Sequence, residues 1–492
     1  MSTMLAVDLG AESGRVSLGH FDGDELRLED VRRFANVPVN VHGRLHWNTL
    51  SLFSEVRHSL ADAAQRTAGQ VESLAVDGWG IDFALVDRAG RSLSGPVHYR
   101  DSRTAGLTAS ATEVIDSYSL FQRTGSRPLP IDTLHQLFAM ALGGDPALSA
   151  SHRLLFVPDL FRYWLSGEQA CEYTMATTSQ CFDIRRQRWD HELVELFGIP
   201  STILRDIVQP GTSVGSLTRQ IADDTGLSNT QVIAPAAHDT ASAVVAIPFE
   251  KDSEGAAFIS CGTWAIVGVE RTSPVVSKGA FDAGLSNEGG AFGTVQFLRN
   301  VMGLWLLQEC RRTWVEQGAD WSYQELVTMA ATTRLHQRFL DTDADEFLRP
   351  GAMPDRVRAY CARTGQNPPG SPDEVVGCIL ESLAMRFRAT LDDIELLTGN
   401  PISTVHLVGG GARNALLCQW TANATGRRVL AGPVEAATIG NLLVQAVAMG
   451  HIGSLAQARQ VARNSTSTIS YEPRDPQEWQ HAYARYRTLT AA

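Results

Sequence analysis

Three observations in the sequence predict a duplicated α/β fold of two domains with a central cleft. The chain has 492 residues, several times the usual single-core size, so at least two domains should each bury a core. A strand, tight turn, strand order followed by alternating helix and strand begins at the N-terminus. It begins again near residue 256. Each half therefore reads as α/β, the two copies facing one another.

In the first half, the apolar run 5–7 turns at Asp8, Gly10 and Gly14 into a second run around Val16 and Leu18. A third run follows the turn at Asp22, Gly23 and Asp24. Short strands joined by tight turns make an antiparallel meander, so the glycines at 10–14 open no helix as a dinucleotide fingerprint requires. Leu52, Phe53, Val56, Leu60, Ala63 and Ala64 recur at helical spacing, and a strand restarts at 74–76, ending at Asp77 and Gly78. In the second half AAFISCGTWAIVGVE reads as strand, Gly-Thr turn, strand. STVHLVGGGARNALLCQWTANATG reads as a strand running into Gly409, Gly410 and Gly411 and then a helix with Leu416, Leu417 and Trp420. RRVLAGPVEAATIGNLLVQAVAMG repeats strand, turn, helix, and 455–492 read as one or two polar helices. IPFEKDSEG reads as a linker, placing the boundary near 240–255 and the domains at 1–243 and 244–492.

With 42 Lys plus Arg against 54 Asp plus Glu, the formal charge is −12. No basic cluster relieves it, which disfavours nucleic acid and anionic membrane surfaces as partners. The start, MSTMLAVDLG, lacks a cationic leader followed by a long apolar stretch, and no run approaches the ~18 apolar residues that span a bilayer. A soluble, cytoplasmic protein is expected, as a monomer or homodimer. Cys171, Cys181, Cys261, Cys310, Cys361, Cys378 and Cys418 form no CxxC pair, so buried free thiols are expected rather than a zinc site or disulfides. Asp341, Asp343 and Asp345 mimic a calcium loop, but Glu346 stands where the sharp turn requires Gly, leaving a solvated acidic loop.

Four turns could carry chemistry. In DLGAESGR (8–15), glycines let the backbone approach an anion, successive N–H groups and Ser13 can donate to phosphate, and Asp8 could hold hydrated Mg²⁺. A plain glycine hairpin with Asp8 capping its turn is the alternative. CGTWAI (261–266) sets Thr263 after a glycine between apolar runs, suiting either a second phosphate turn or an ordinary hairpin. The triple glycine in VGGGARN (408–414) would let a purine or ribose lie against the backbone, or simply connect strand to helix tightly. In APAAHDTASAVVA, Asp239 precedes a small-residue helix. Asp239 or Thr240 could be an N-cap there, and Asp239 could equally accept the proton of an alcohol attacking a phosphate.

Taken in order, these turns resemble the FGGY carbohydrate kinases of the actin-like (ribonuclease H-like) ATPase superfamily over nearly the whole chain. The resemblance is carried by DLGAESGR, VDGWGIDFALVD, YRDSRT, HDTASAV, SCGTW, NEGG, FLRNVMGLWLLQECRR and VGGGARN with GPVEAATIGN. It implies ATP and Mg²⁺ as cofactors and a small-molecule sugar as partner, with phosphate transfer to the 1-hydroxyl of L-rhamnulose. L-Fuculose or D-xylulose is the alternative acceptor, and a non-catalytic actin-like ATPase or sugar sensor the alternative class. Carried over by motif, Ala11, Glu12, Ser13, Gly14 and Arg15 form a phosphate loop, and Thr263, Gln308 and Gly410 make the other ATP contacts. Gly80, His238, Asp239, Thr240 and Asn300 contact the sugar, Asp239 is the proton acceptor, and Asp8 is the metal-side residue. Glu12, where the family commonly has a small polar residue, is expected to point away from phosphate, and Cys261 replaces a common serine. Trp79 and Trp264 read as core or as stacking platforms. Arg100 and Arg103 could serve the cleft or pair with Asp101.

Overall fold

The computed structural model describes residues 1–249 and 255–490. Residues 250–254 of the expected linker lie outside the described residues. The chain divides into two compact units. One holds Met1–Pro248, Glu270–Phe297 and Ala436–Ser465; the other holds Phe249–Val269, Leu298–Glu435 and Thr466–Ala492.

The first unit is built on a six-stranded sheet in the order Thr212–Ser216, Gln231–Ala234, Ser73–Gly78, Ser2–Leu9, Ser13–Phe21, Leu26–Ala35. The last three strands are the antiparallel meander the turns predict. Ser73–Gly78 joins parallel to Ser2–Leu9, and Gln231–Ala234 parallel to that. Alternation along the first strand sends Leu5, Val7 and Leu9 into one core. There they meet Leu52, Val56, Leu60 and Ala63 of the predicted helix, which spans Thr49–Thr67. Asn48 caps that helix by accepting from the Ser51 N–H.

The same alternation turns Asp8, and Ser73, Ala75 and Asp77 on the neighbouring strand, to the opposite face. The Ala436–Ala448 helix covers it: Gln445 Nε2 donates to the Leu5 carbonyl and accepts on Oε1 from Ser73 Oγ. This helix also crosses the Asp239–Val245 helix so closely that a Cβ on Gly440 would stand 1.7 Å from the Ser242 carbonyl oxygen. Only glycine fits there.

The second unit repeats the pattern. Ala256–Cys261 and Trp264–Arg271 form an antiparallel hairpin. Thr404–Val408 adds parallel to the first of these, and Arg428–Ala431 parallel to that. A hairpin followed by two parallel additions thus occurs in both units, which is the duplication expected from sequence. The tail carries helices at Leu455–Ser465 and Pro476–Thr490 with a short strand, Ile469–Tyr471, between them. All seven cysteines are buried free thiols. The acidic run departs from expectation in part: Asp345 is exposed, but Asp343 is held between Arg386, at 2.6 Å, and Arg299, at 3.3 Å. Among the described residues, no helix is long and apolar enough to cross a membrane.

Candidate active site

In the first unit, Asp8 and Asp77 are Cα partners at the ends of adjacent parallel strands. Thr438 Oγ1 donates to Asp8 Oδ2 at 3.1 Å, and Asn441 Nδ2 donates to Asp77 Oδ1 at 2.6 Å. Asp77 Oδ2 is buried and has no hydrogen-bond partner among the described residues. Burial, then the charge of Asp8 and, more weakly, Asp239, push the Asp77 carboxyl well above the usual carboxylate range. A site that penalises its own negative charge in this way suits a cation. Mg²⁺ commonly takes one or two carboxylates and keeps several waters. The described residues hold no cluster of three or more His, Cys, Asp or Glu groups placed as ligands, and such a cation needs none.

The turn after Asp8 is tight, with the Gly10 N–H donating to the Ser13 carbonyl at 2.9 Å. Asn36 holds it from outside: its N–H donates to the Glu12 carbonyl, and Nδ2 to the Gly10 carbonyl, both at 2.9 Å. Glu12 and Ser13 are exposed. Of the expected phosphate loop, Ala11 and Glu12 form the turn, while Ser13, Gly14 and Arg15 already lie in the Ser13–Phe21 strand. Gly14 is needed for packing, since a Cβ there would meet the Phe34 ring at 2.1 Å.

Asp239 is the first residue of the Asp239–Val245 helix, with His238 at the cap position and no side-chain capping bond. The expected cap by Asp239 or Thr240 is therefore absent, and Thr240 instead donates to Asp239 Oδ1 at 3.3 Å. The Asp239 side chain keeps 33% exposure, so it is sheltered yet reachable. Burial raises its pKa and the neighbouring His238 opposes the rise. His238 stands between two carboxylates, with Nδ1 3.2 Å from Glu288 Oε2 and Nε2 3.6 Å from Asp239 Oδ1. Burial works against the imidazolium, but Glu288 and then Asp239 outweigh it and lift His238 to about 9. Gly80 lies against Thr178, its Cβ position 3.2 Å from Thr178 Oγ1.

In the second unit, the turn at Gly262 and Thr263 is fastened to the start of the Trp305–Glu316 helix. The Leu304 N–H donates to the Gly262 carbonyl at 2.9 Å and the Trp305 N–H to the Thr263 carbonyl at 3.2 Å. That helix carries Gln308, whose Oε1 is buried without a hydrogen-bond partner among the described residues. The three glycines divide their work. Gly409 and Gly411 press on Cys261, at 3.1 Å from its carbonyl oxygen and 2.6 Å from Sγ for an added Cβ, whereas Gly410 has nothing within 4 Å. Asn300 lies on the Val295–Met302 strand. Thr263, Asn300, Gln308 and Gly410 thus share this unit, while Asp8, the 11–15 turn, Gly80, His238, Asp239 and Thr240 share the other.

Trp79 is core: it is buried and donates to Asp82 Oδ2 at 3.2 Å. Asp101 pairs with Arg44 at 3.1 Å, and the Arg103 side chain reaches Gln136 instead.

Residues 3–246 match the N-terminal domain of the FGGY family of carbohydrate kinases, and residues 257–449 match its C-terminal domain. The chain belongs to the FGGY family of carbohydrate kinases. This FGGY kinase is 38% identical over 482 residues to a protein named rhamnulokinase from Bacteroides thetaiotaomicron, covering 98% of each chain. It is 36% identical over 499 residues to a rhamnulokinase from Pectobacterium carotovorum, covering 100% of this chain and 97% of the relative. Its fold is that of solved sugar kinases. A gluconate kinase from Lactobacillus acidophilus superposes with a TM-score of 0.80 at 15% identity, covering 100% and 98% of the two chains. A glycerol kinase from Plasmodium falciparum does so with 0.78 at 13%, with the same coverage. The duplicated actin-like α/β fold is common to them.

Sequence reasoning about this FGGY kinase passed over Asp77, Glu288, Thr438, Asn441 and Asn36. Asp77 had a signal, a strand ending in Asp-Gly as the first strand does. Thr438, Asn441 and Gln445 had one too, polar residues at helical spacing in an otherwise apolar helix. Glu288 sat inside the quoted NEGG without a role.

Proposed function

We propose that this kinase transfers phosphate from ATP to the 1-hydroxyl of L-rhamnulose, giving L-rhamnulose 1-phosphate and ADP, in L-rhamnose catabolism. The observation that carries the reading is Asp239, a sheltered but reachable carboxylate at a helix start beside the His238 imidazolium. Near-full-length identity to proteins named rhamnulokinase supports the choice of sugar.

In this reading His238, Thr240, Gly80 and Asn300 orient the ketose, and Asp239 takes the proton of the 1-hydroxyl as that oxygen attacks phosphorus. His238 as a cation opposes the rise that burial imposes on the Asp239 pKa and so favours the ionised form that a base needs. Residues 11–15, Thr263, Gln308 and Gly410 hold ATP. Magnesium, when bound beside Asp8 and Asp77, would offset the phosphate charge. Residues 1–243 then form the acceptor and phosphate-loop domain and 244–492 the nucleotide domain, in a cytoplasmic monomer or homodimer.

The test is a panel of ketoses with ADP release as the readout. L-Rhamnulose is expected to have the highest kcat/KM. Faster turnover of L-fuculose or D-xylulose would replace the assigned sugar.

A further inference from the structure

One short buried helix, Tyr173–Thr178, touches three separate pieces of the acceptor side, and each contact uses a threonine. Thr174 Oγ1 accepts from the His238 N–H at 3.0 Å. Thr177 Oγ1 accepts from the Gly289 N–H at 2.8 Å, next to Glu288. Thr178 Oγ1 accepts from the Ile81 N–H at 3.3 Å, next to Gly80.

A hydroxyl has one proton and two lone pairs. In all three threonines the proton is committed elsewhere, which leaves a lone pair aimed at a loop. Thr177 donates to the Thr174 carbonyl at 2.7 Å and Thr178 to the Met175 carbonyl at 2.9 Å, the back-bonding common for helical threonine. Thr174 donates to Glu172 Oε2 at 2.5 Å. That same carboxylate oxygen accepts from the N–H groups of Thr174, Met175 and Ala237, at 2.9, 3.2 and 3.1 Å. Glu172 is fully buried, as are Asp159 and Arg162 behind it, where Asp159 accepts from the Glu172 N–H at 3.2 Å and from Arg162 at 2.8 Å. Thr174, Thr177 and Thr178 are 0, 3 and 6% exposed.

We propose that Thr174, Thr177 and Thr178 are positioning residues of the acceptor site. The buried helix acts as one rigid jig that fixes the His238–Asp239 loop, the Glu288 strand and the Gly80–Ile81 turn in mutual register. Each threonine works through backbone amides and touches no substrate. Because catalytic groups must be held to within about half an ångström of the productive geometry, loss of one hydroxyl loosens one wall of the sugar pocket. The nucleotide contacts stay as they are. The inference rests on the proposed acceptor chemistry, and only the sugar-side constants should report it.

The experiment replaces each threonine by valine, which keeps the shape and removes the acceptor, and by serine, which restores it. Thr225→Val is the control, a buried threonine whose hydroxyl donates only within its own helix to the Ile221 carbonyl. In the full-length enzyme Thr174→Val, which loses both the bond from the His238 N–H and the bond to Glu172, is expected to lower kcat about tenfold. Thr177→Val and Thr178→Val are expected to raise KM for the ketose by a similar factor. KM for ATP stays within about twofold throughout, and each serine variant recovers most of the loss. Thermal melts confirm that every variant is folded. Valine variants as active as Thr225→Val, serine variants no better than valine, or a change in KM for ATP alone would each overturn the proposal. A wild-type enzyme that phosphorylates no ketose would instead overturn the proposed function.

Discussion

Asp77 stands directly beside Asp8 on parallel strands, and its Oδ2 is buried without a hydrogen-bond partner among the described residues. The folded state therefore resists ionising Asp77, and its pKa is raised well above the ordinary value. With a raised carboxyl, the stabilising contribution is full below the unfolded pKa and is lost as pH rises through the folded pKa. Asp77→Asn removes that penalty while leaving Asn441 an oxygen to donate to. The variant should be more stable than wild type by about 1 kcal/mol or more at pH 8 and no more stable near pH 3.5. Denaturant unfolding at both pH values checks this. On the proposed magnesium site, turnover should fall at least tenfold, because one of the two carboxylates that would hold the cation is removed.

His238 between Glu288 and Asp239 should titrate high, at about 9. The stability it contributes is full below the ordinary histidine value and is lost as pH rises through about 9. Glu288→Gln should lower the His238 pKa and flatten that alkaline loss. Proton-detected nitrogen NMR of the His238 ring across pH 6 to 10 reads the shift directly. An unchanged titration would remove Glu288 from the role of partner.

Gly440 against Ser242 predicts intolerance to the smallest side chain. A Cβ 1.7 Å from a backbone oxygen must push two helices apart, at a cost of about 1–3 kcal/mol by overpacking. Gly440→Ala should lower Tm. Since the same helix carries Thr438 and Asn441 to Asp8 and Asp77, kcat should fall as well.

Gly410 and Gly411 should separate by phenotype. Gly410 has open space around its Cβ position, so Gly410→Val should fold with a near-native Tm yet raise KM for ATP about tenfold or more. Gly411→Val would drive into Cys261 Sγ and should instead lower Tm sharply. Calorimetry and initial rates on the two variants distinguish packing from nucleotide contact.

The meander, the repeated hairpins and the helix at 49–67 were legible because local periodicity and glycine turns determine them. Candidate site residues could be named where a motif is contiguous, as in HDT and GTW. They were hidden where partners come from far along the chain. Thr438 reaches Asp8 across 430 residues, and Asn441 reaches Asp77 across 364. No local pattern encodes such a pairing. The capping expectation at Asp239 failed because the helix begins one residue earlier than a cap there requires, with His238 at the cap position and Asp239 already its first residue. Within the glycine triplet, the packing of Gly409 and Gly411 on Cys261 depends on a strand far away along the chain and has no local signal.

The most direct test of Asp239 as the proton acceptor is single-turnover phosphorylation of L-rhamnulose by wild type and Asp239→Asn, with ATP binding measured on the same samples. The asparagine variant should bind ATP within about twofold of wild type and lose at least ~10² in turnover, the scale of general-base catalysis. Unchanged turnover in Asp239→Asn would contradict the assignment.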